Sequence, residues 1–205
     1  MGKIKLTKAE LKKQRDDLRM FERYLPTLQL KKQQLQTEIL RWNALLQEKQ
    51  SQERAKTNTV LVWAGLLADP GAEIAAYFKL ARIVEQRKNV AGVDVPVFER
   101  AEFIDEEYDL FSTPAWVDSA VEQLKELACL RAEAAILQKA LAVLQRELRI
   151  TAQRVNLFEK VKIPAAIDAI RRIKIYIGDQ MANAVGRSKA AKRKIEELLL
   201  HEAGS

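Results

Sequence analysis

The chain has 205 residues and a formal net charge of +7, and Gly and Pro together contribute only 12 residues. A composition so dense in Leu, Ala, Lys, Arg, Glu and Gln is typical of long helices and coiled coils, and it argues against a compact globule. The single cysteine excludes an intramolecular disulfide, and the longest apolar run, residues 60–68, is too short for a membrane-spanning helix of about 20 residues.

We therefore expect a soluble protein without direct membrane insertion, although it could serve a membrane machine as a peripheral part. Its charge is unevenly spread along the sequence. Residues 1–65 carry 14 Lys and Arg against 7 Asp and Glu, residues 66–112 carry 5 against 10, and residues 113–205 carry 16 against 11. Two basic arms thus flank an acidic middle, which predicts different partners at different places.

The first arm, residues 1–67, is predicted to be a coiled-coil helix. Thr7 and Glu10 have the spacing of a capping box, which indicates a helix start. Nine of twelve heptad positions are apolar, a pattern typical of a coiled coil. These positions are Leu11, Gln14, Leu18, Phe21, Leu25, Leu28, Lys32, Leu35, Ile39, Trp42, Leu46 and Lys49. Pro26 predicts one kink or short break, and Asp69-Pro70-Gly71 predicts a turn.

The middle, residues 68–112, is predicted to hold a short helix and a β-hairpin. The segment 72–81 has the composition of a helix, whereas β-branched residues flank a turn signal between Asn89 and Gly92. We expect strands near 82–89 and 93–100, with Pro96 on an edge position. An acidic, aromatic loop follows at 103–114.

The second arm, residues 113–205, is also predicted to be a coiled-coil helix. Ser112 or Thr113 would cap it, and Pro114 would occupy its first turn. One apolar seam comprises Leu130, Ala134, Leu137, Leu141, Leu144, Leu148, Thr151, Val155 and Phe158. After Pro164 a seam resumes at Ile167, Ile170, Lys174, Ile177, Met181, Ala184, Ser188, Ala191, Ile195 and Leu198. The phase slips by one residue across Pro164, so one local irregularity serves both the proline and the slip.

The predicted fold class is therefore mainly α, a long antiparallel two-helix coiled coil with a small middle region. Each arm is too polar to fold alone, and the other arm is the simplest partner for its apolar stripe. The second arm is the longer one, and we expect its excess to pack against the short middle helix. Flush tips would pair residues whose numbers add up to about 210, but the heptads leave the register open.

Residues that could carry catalysis or bind a cofactor are missing from the sequence. His201 is five residues from the end, and neither a phosphate-binding glycine motif nor a Cys/His cluster at metal-ligand spacing is present. The run from Asp105 to Asp109 is more typical of a solvated loop than of a cation site. Cys129 is expected to be a buried, unreactive helix residue. We expect no enzyme acting alone, no cofactor and no metal.

Four segments resemble the D subunits of the A/V-type rotary ATPases, a family of central rotor shafts, and the likeness covers nearly the whole chain. They are "LTKAELKKQRDDLRMFERYLPTLQLKKQQL", "NVAGVDVPVFE", "RVNLFEKVKIP" and the tail "KIYIGDQMANAVGRSKAAKRK", which looks like a bacterial branch of the family. The resemblance implies a non-catalytic shaft that transmits torque between the catalytic ring and the membrane ring. It also implies contacts with the catalytic and non-catalytic ring subunits A and B, with the small F subunit, and with the subunit that caps the membrane ring (C/d). The location would be cytoplasmic and peripheral to the membrane.

The resemblance also suggests roles for particular residues. A basic tip would contact the catalytic ring, and the hairpin would contact the F subunit. The tip residues would be Lys8, Lys12, Arg15, Arg187, Lys189, Lys192 and Arg193, brought together by the antiparallel pairing. The contact with the F subunit would comprise Ile83, Val84, Val95, Val97 and Phe98. Kinks at Pro26 and Pro164 would curve the shaft, or Pro164 would only accommodate the heptad slip.

Two other classes of protein fit the composition. A coiled coil that binds nucleic acid is compatible with the pI near 9.5, but the acidic middle would repel phosphates, so we expect no nucleic acid partner. A cytoplasmic scaffold or chaperone with a long helical hairpin is the third class. Composition does not separate these classes, whereas the hairpin segment and "RVNLFEKVKIP" favour the rotor.

Overall fold

The computed structural model describes residues 5–65, 78–105 and 114–203, and this part of the chain is mainly helical. Its elements are α1 (Lys8–Trp63), β1 (Phe78–Val90), β2 (Val93–Asp105), α2 (Val117–Leu157), a π-turn (Phe158–Lys162) and α3 (Ile163–Ala203). Internal contacts divide the chain into two units. The central unit comprises residues 30–152, and the terminal unit comprises residues 1–29 and 153–205.

Helix α1 begins as its sequence predicts. The backbone N–H of Glu10 donates to the Thr7 hydroxyl at 3.2 Å, which satisfies one of the N–H groups that a helix start leaves unpaired. The helix continues through Pro26 without a break, and it ends at Trp63 rather than near residue 67. All twelve predicted heptad positions between Leu11 and Lys49 are buried or half-buried.

The core of the central unit forms where α1, α2 and the hairpin meet. Its buried members come from α1 (Leu35, Ile39, Trp42), from α2 (Leu137, Ala140, Leu141, Leu144) and from the hairpin (Val90, Val95). Leu35, Leu144 and Val95 have no exposed surface. A second, smaller cluster forms where α2 begins, with Val117, Ala120 and Val121 packed against Trp63 and other half-buried residues.

Ion pairs between α1 and α2 show how the two helices run relative to each other in the central unit. They join Lys31 to Glu147 at 3.1 Å, Lys49 to Glu133 at 2.9 Å, Glu53 to Arg131 at 2.9 Å, and Lys56 to Glu126. Residue numbers rise along α1 as they fall along α2, so the two helices run antiparallel here. The numbers of paired residues add up to between 178 and 184, far from the value near 210 that flush tips would require.

The hairpin turn is made by Ala91 and Gly92. Their φ angles of 51° and 75° are both positive, as in a type I′ turn, whose twist matches that of the flanking strands. The Asn89 side chain braces the turn: its oxygen accepts the Gly92 N–H at 3.1 Å, and its amide donates to Asp94 at 2.7 Å. The predicted hairpin is therefore confirmed, and its turn lies where the sequence signal placed it.

The strands are longer than the sequence suggested, with 13 residues each rather than eight. The predicted short helix at 72–81 is wrong over 78–81, which begin β1, and the rest of that segment lies outside the described residues. β1 pairs with β2 in an antiparallel register interrupted by two bulges. Both strands of this two-stranded sheet are edge strands, so Pro96 does lie on an edge.

The terminal unit pairs the first part of α1 with the end of α2, the π-turn and α3. The rings of Phe21 and Phe158 lie 5.2 Å apart between centroids. Between the π-turn and residue 197 the buried residues are Ala166, Ala169 and Ile173. The predicted seam at Ile167 and Lys174 is therefore wrong by one residue, since both are exposed, whereas Ile170 and Ile177 are half-buried as expected.

Helix α2 begins at Val117, whose N–H donates to the carbonyl of Pro114 at 3.0 Å. Pro114 therefore precedes the helix by three residues and does not occupy its first turn. The proposed caps Ser112 and Thr113 lie outside the described residues. The three-part division at 67 and 112 stays a prediction.

Candidate interaction surfaces

The break in the heptad near Pro164 is a π-turn. Buried or half-buried positions recur every seven residues at Leu137, Leu144, Thr151 and Phe158. The next fully buried position is Ala166, eight residues after Phe158, whereas Ala165, at seven, is only half-buried. Within this interval Ile163 donates its N–H to the carbonyl of Phe158, five residues back instead of four. A π-turn inserts one extra residue into a helix, so it supplies the slip that the sequence predicted.

The same π-turn lies directly before Pro164, which has no N–H to donate and whose ring clashes with the preceding turn of a regular α-helix. Wider i→i−5 spacing relieves such a clash because the carbonyls of the previous turn are displaced. One irregularity therefore accommodates both the extra residue and the proline.

The last part of α3 forms an exposed basic surface. All twenty residues from 178 to 197 are exposed, including Met181, Val185 and Ile195. This stretch is the excess length of the second arm, and in the described part of the chain nothing covers it. The expectation that the excess packs against a short middle helix stays a prediction, because most of the segment 72–81 lies outside the described residues.

Basic residues dominate that surface. Arg187, Lys189, Lys192, Arg193 and Lys194 lie within eight positions that contain no acidic residue. Lys192 and Arg193 pair with Glu196 and Glu197 one turn further on, at 3.7 and 3.3 Å. Arg187, Lys189 and Lys194 have no ion pair within the described residues, so they carry the least compensated charge of the stretch.

The basic residues at the start of α1 lie elsewhere in the terminal unit. Counting along both helices from the Phe21–Phe158 contact places Lys8 opposite residues near Arg171. Arg187 lies 16 residues beyond Arg171, which is roughly 24 Å of helix. Lys8, Lys12 and Arg15 are exposed, but they do not share one tip with the basic residues of α3. The physical reason is the register, which leaves the end of α3 beyond the start of α1.

The hairpin residues predicted to contact the F subunit differ in exposure. Ile83 is exposed, Val84, Val97 and Phe98 are half-buried, and Val95 is completely buried in the core of the central unit. Val95 therefore has no surface left for a partner.

A half-open groove of about 610 Å³ runs between α1, the hairpin and α2. Val97, Phe98 and Leu137 line it, together with Trp42 and Leu45 of α1. The heptad had marked Trp42 as core, and no sequence signal pointed to this groove. Its shape depends on where the hairpin lies against α1.

The described residues contain no cluster of three or more His, Cys, Asp or Glu placed to hold a metal ion, and the acidic run after Asp105 lies outside them. Burial, together with the nearby Glu126 and Glu133, raises the pKa of the half-buried Cys129 thiol, which keeps it protonated and unreactive. Within the same residues, no helix has an apolar stretch long enough to cross a membrane.

Comparison with known proteins decides between the classes that the composition left open. The sequence pattern of the ATP synthase D subunit family matches residues 10–193. The chain belongs to this family. The V-type ATP synthase D subunit of Borreliella burgdorferi is 45% identical over 195 residues, which are 95% of this chain and 96% of the relative.

More distant relatives agree over the same length. The V-type ATP synthase D subunit of Chlamydia trachomatis serovar L2 is 34% identical over 198 residues, covering 96% of this chain and 98% of the relative. That of Chlamydia caviae is 33% identical over 200 residues, covering 96% and 95%. The resemblance seen in the sequence is thus confirmed, and with it a non-catalytic central-stalk subunit of a V-type ATP synthase. Such a subunit works together with other subunits of the complex.

Proposed function

We propose that this chain is the rotating shaft that transmits torque between the catalytic ring and the ion-translocating membrane ring. It would serve ATP synthesis or ATP-driven transport of protons or sodium ions, at the cytoplasmic side and peripheral to the membrane. The observation that carries the proposal is the family match over residues 10–193, nearly the whole chain. The antiparallel helices of the central unit support it, since a shaft must resist twisting.

A two-helix coiled coil along both arms would supply the stiffness. In support, all nine predicted seam positions from Leu130 to Phe158 are buried or half-buried, as are the twelve on α1. The Lys31–Glu147 ion pair lies beside the apolar seam, as ion pairs do at the edges of coiled coils, and Lys49, itself a heptad position, pairs with Glu133. Twisting one helix against the other would have to disrupt both sets of contacts.

Reconstitution tests the proposal directly. The full chain is mixed with the ring subunits A and B and with the F subunit of the same organism, and assembly is followed by gel filtration and ATPase activity. We expect one copy per ring and a changed turnover. A ring that is active by itself but leaves this chain unbound would refute the shaft assignment.

The exposed end of α3 is proposed to enter the ring, with its positive charge facing acidic loops. Arg187 and Lys189 form no ion pair with a described acidic residue, so their charge is available to such loops. Arg187→Gln combined with Lys189→Gln should slow assembly about 10-fold at low salt, and the difference should vanish near 0.5 M salt, where exposed charges are screened. The matched control removes two exposed cations of the π-turn, Lys160→Gln and Lys162→Gln. Equal slowing by both pairs would contradict a specific ring contact.

Lys8, Lys12 and Arg15 would form a separate ring contact, further from the end of the shaft. The remaining proposed partners are the F subunit, at the hairpin residues Ile83, Val84, Val97 and Phe98, and the C/d subunit that caps the membrane ring.

Curvature at Pro26 and Pro164 is proposed to let rotation present a different surface to each ring subunit in turn. Pro164→Ala should then loosen the coupling between ATP hydrolysis and ion transport in the reconstituted complex. Unchanged coupling would leave Pro164 only the role of accommodating the extra residue of the π-turn.

A further inference from the structure

The outer edge of β1 is unpaired in the described part of the chain. In β1, ten of the eleven residues from 79 to 89 are exposed, whereas in β2 only four of the twelve from 93 to 104 are exposed. The sheet has only these two strands, and no described strand pairs with the far side of β1. An unpaired edge of this kind offers a row of N–H and C=O groups to an incoming strand.

The register identifies which of these groups point outward. Val90 and Val93 flank the two-residue turn, so they form a hydrogen-bonded pair, and such pairs alternate along the ladder. Counted from the turn, the first bulge leaves Glu99 of β2 without a partner in β1, so the alternation along β1 stays regular from Arg82 to Val90. The N–H and C=O groups of Ile83, Glu85, Arg87 and Asn89 therefore point away from β2.

The two edges of the hairpin are not equivalent. Pro96 lies opposite Arg87, at a position whose backbone nitrogen points outward, and proline has no hydrogen to donate there. The outer edge of β2 is therefore blocked in its middle, whereas β1 contains no proline. An added strand would find a continuous set of donors and acceptors only on β1.

The charge of β1 defines what it can accept. The strand contains one acidic residue, Glu85, and four basic residues, Lys79, Arg82, Arg87 and Lys88. Arg82 is already bound to Glu102 at 2.7 Å, but Arg87 and Lys88 make no ion pair with any described residue. Two copies of this strand would repel each other, whereas a strand rich in Asp and Glu would be attracted.

We propose that the outer edge of β1 binds an extended acidic strand of another subunit of the rotary complex, which becomes the third strand of this sheet. The main-chain bonds at Ile83, Glu85, Arg87 and Asn89 hold the strand, and the basic side chains select it by charge. The inference rests on the proposed function, because the partner is taken from that complex.

Hydrogen exchange measures the edge directly. Amide exchange of the full chain is compared, residue by residue, before and after assembly with subunits A, B and F and the C/d subunit. The amides of Ile83, Glu85, Arg87 and Asn89 should be at least about 10-fold slower after assembly. Those of Gln86, Lys88 and Val90 point towards β2 and should be slow in both states, which provides an internal control.

Each outcome of this experiment has one meaning. A chain that assembles while its four outward amides still exchange rapidly overturns the added strand and leaves the shaft assignment intact. Outward amides that are already slow in the isolated chain also overturn it, because the chain would then cover its own edge. A chain that does not assemble at all refutes the proposed function and this inference with it.

Substitutions of Arg87 distinguish the contribution of its backbone N–H to assembly from the contribution of its charge. Arg87→Pro removes an outward donor without touching the bonds to β2, and it should weaken assembly about 10-fold. The control Arg87→Thr keeps the N–H and should change assembly less than about 3-fold. Arg87→Glu keeps the N–H but repels an acidic strand, so it should weaken assembly about 5-fold at low salt and little at high salt.

Circular dichroism and thermal unfolding of the isolated variants establish that each one folds. If Arg87→Pro folds and assembles as well as Arg87→Thr, the edge does not bind a strand. If Arg87→Glu assembles as well as the wild type at low salt, the partner strand is not acidic.

Discussion

Deletion of Val161 tests why the helix contains a π-turn. Val161 is about half exposed and lies inside the turn, so its removal costs little direct packing. The interval from Phe158 to Ala166 falls from eight residues to seven, which restores an unbroken heptad. If the turn exists to hold one extra residue, the shortened helix keeps Ala166 and Ile173 on the buried face.

The expected cost of this deletion comes from Pro164. In a regular α-helix the proline loses one hydrogen bond and clashes with the preceding turn, which costs about 3 kcal/mol. The deletion alone should therefore lower the free energy of unfolding by up to about 3 kcal/mol. Combining it with Pro164→Ala should bring the loss below about 1 kcal/mol, and Pro164→Ala alone should also cost less than about 1 kcal/mol because the extra residue still requires the turn.

A deletion ten residues further on is the matched control. Removing the exposed Arg171 shortens the interval from Ala166 to Ile173 to six residues and rotates Ile173 away from the seam. Ile173 is completely buried, so exposing it should cost about 1.5–3 kcal/mol. Urea unfolding followed by circular dichroism at 222 nm ranks the variants. The reasoning is refuted if the double variant without Val161 is as unstable as the one without Arg171.

Three further predictions concern the central unit. Leu35→Ala should lower the free energy of unfolding by about 2–5 kcal/mol, because Leu35 has no exposed surface. Leu40→Ala on the same helix should change it by less than about 0.5 kcal/mol, since Leu40 is 71% exposed. Urea unfolding compares the two variants. Ala91→Gly should raise the melting temperature slightly, by relieving a positive φ at a non-glycine residue, and an unchanged or lower value would contradict this reason. Hydrogen bonds from Arg82 and, to a smaller extent, from Arg100 lower the pKa of Glu102. These bonds therefore stabilise the hairpin at neutral pH, and their stabilisation is lost as the pH falls through the lowered pKa of Glu102. An NMR titration of Glu102 checks the direction, and Arg82→Gln should move its pKa back up.

Local features of the sequence determined most of the secondary structure. Thr7 and Glu10 fixed the start of α1 because a helix start needs a side-chain acceptor for its unpaired N–H groups. Asn89 to Gly92 fixed the hairpin, since the turn needs positive φ angles and a side chain that braces them. The phase slip before Pro164 was visible because periodicity records any extra residue, whatever the helix does to hold it.

Only the tertiary structure decided how these elements combine. The heptads are compatible with many registers, and in the terminal unit the register marked by the Phe21–Phe158 contact leaves the end of α3 exposed beyond the start of α1. After the π-turn, Ala166 and Ile173 are buried and the more hydrophobic Ile167 is exposed. The reason is that the position of the extra residue determines which side of the helix faces the core. Val95 became core and β1 became an open edge for the same reason: burial depends on what packs against a strand, and a strand's own sequence does not specify its neighbour.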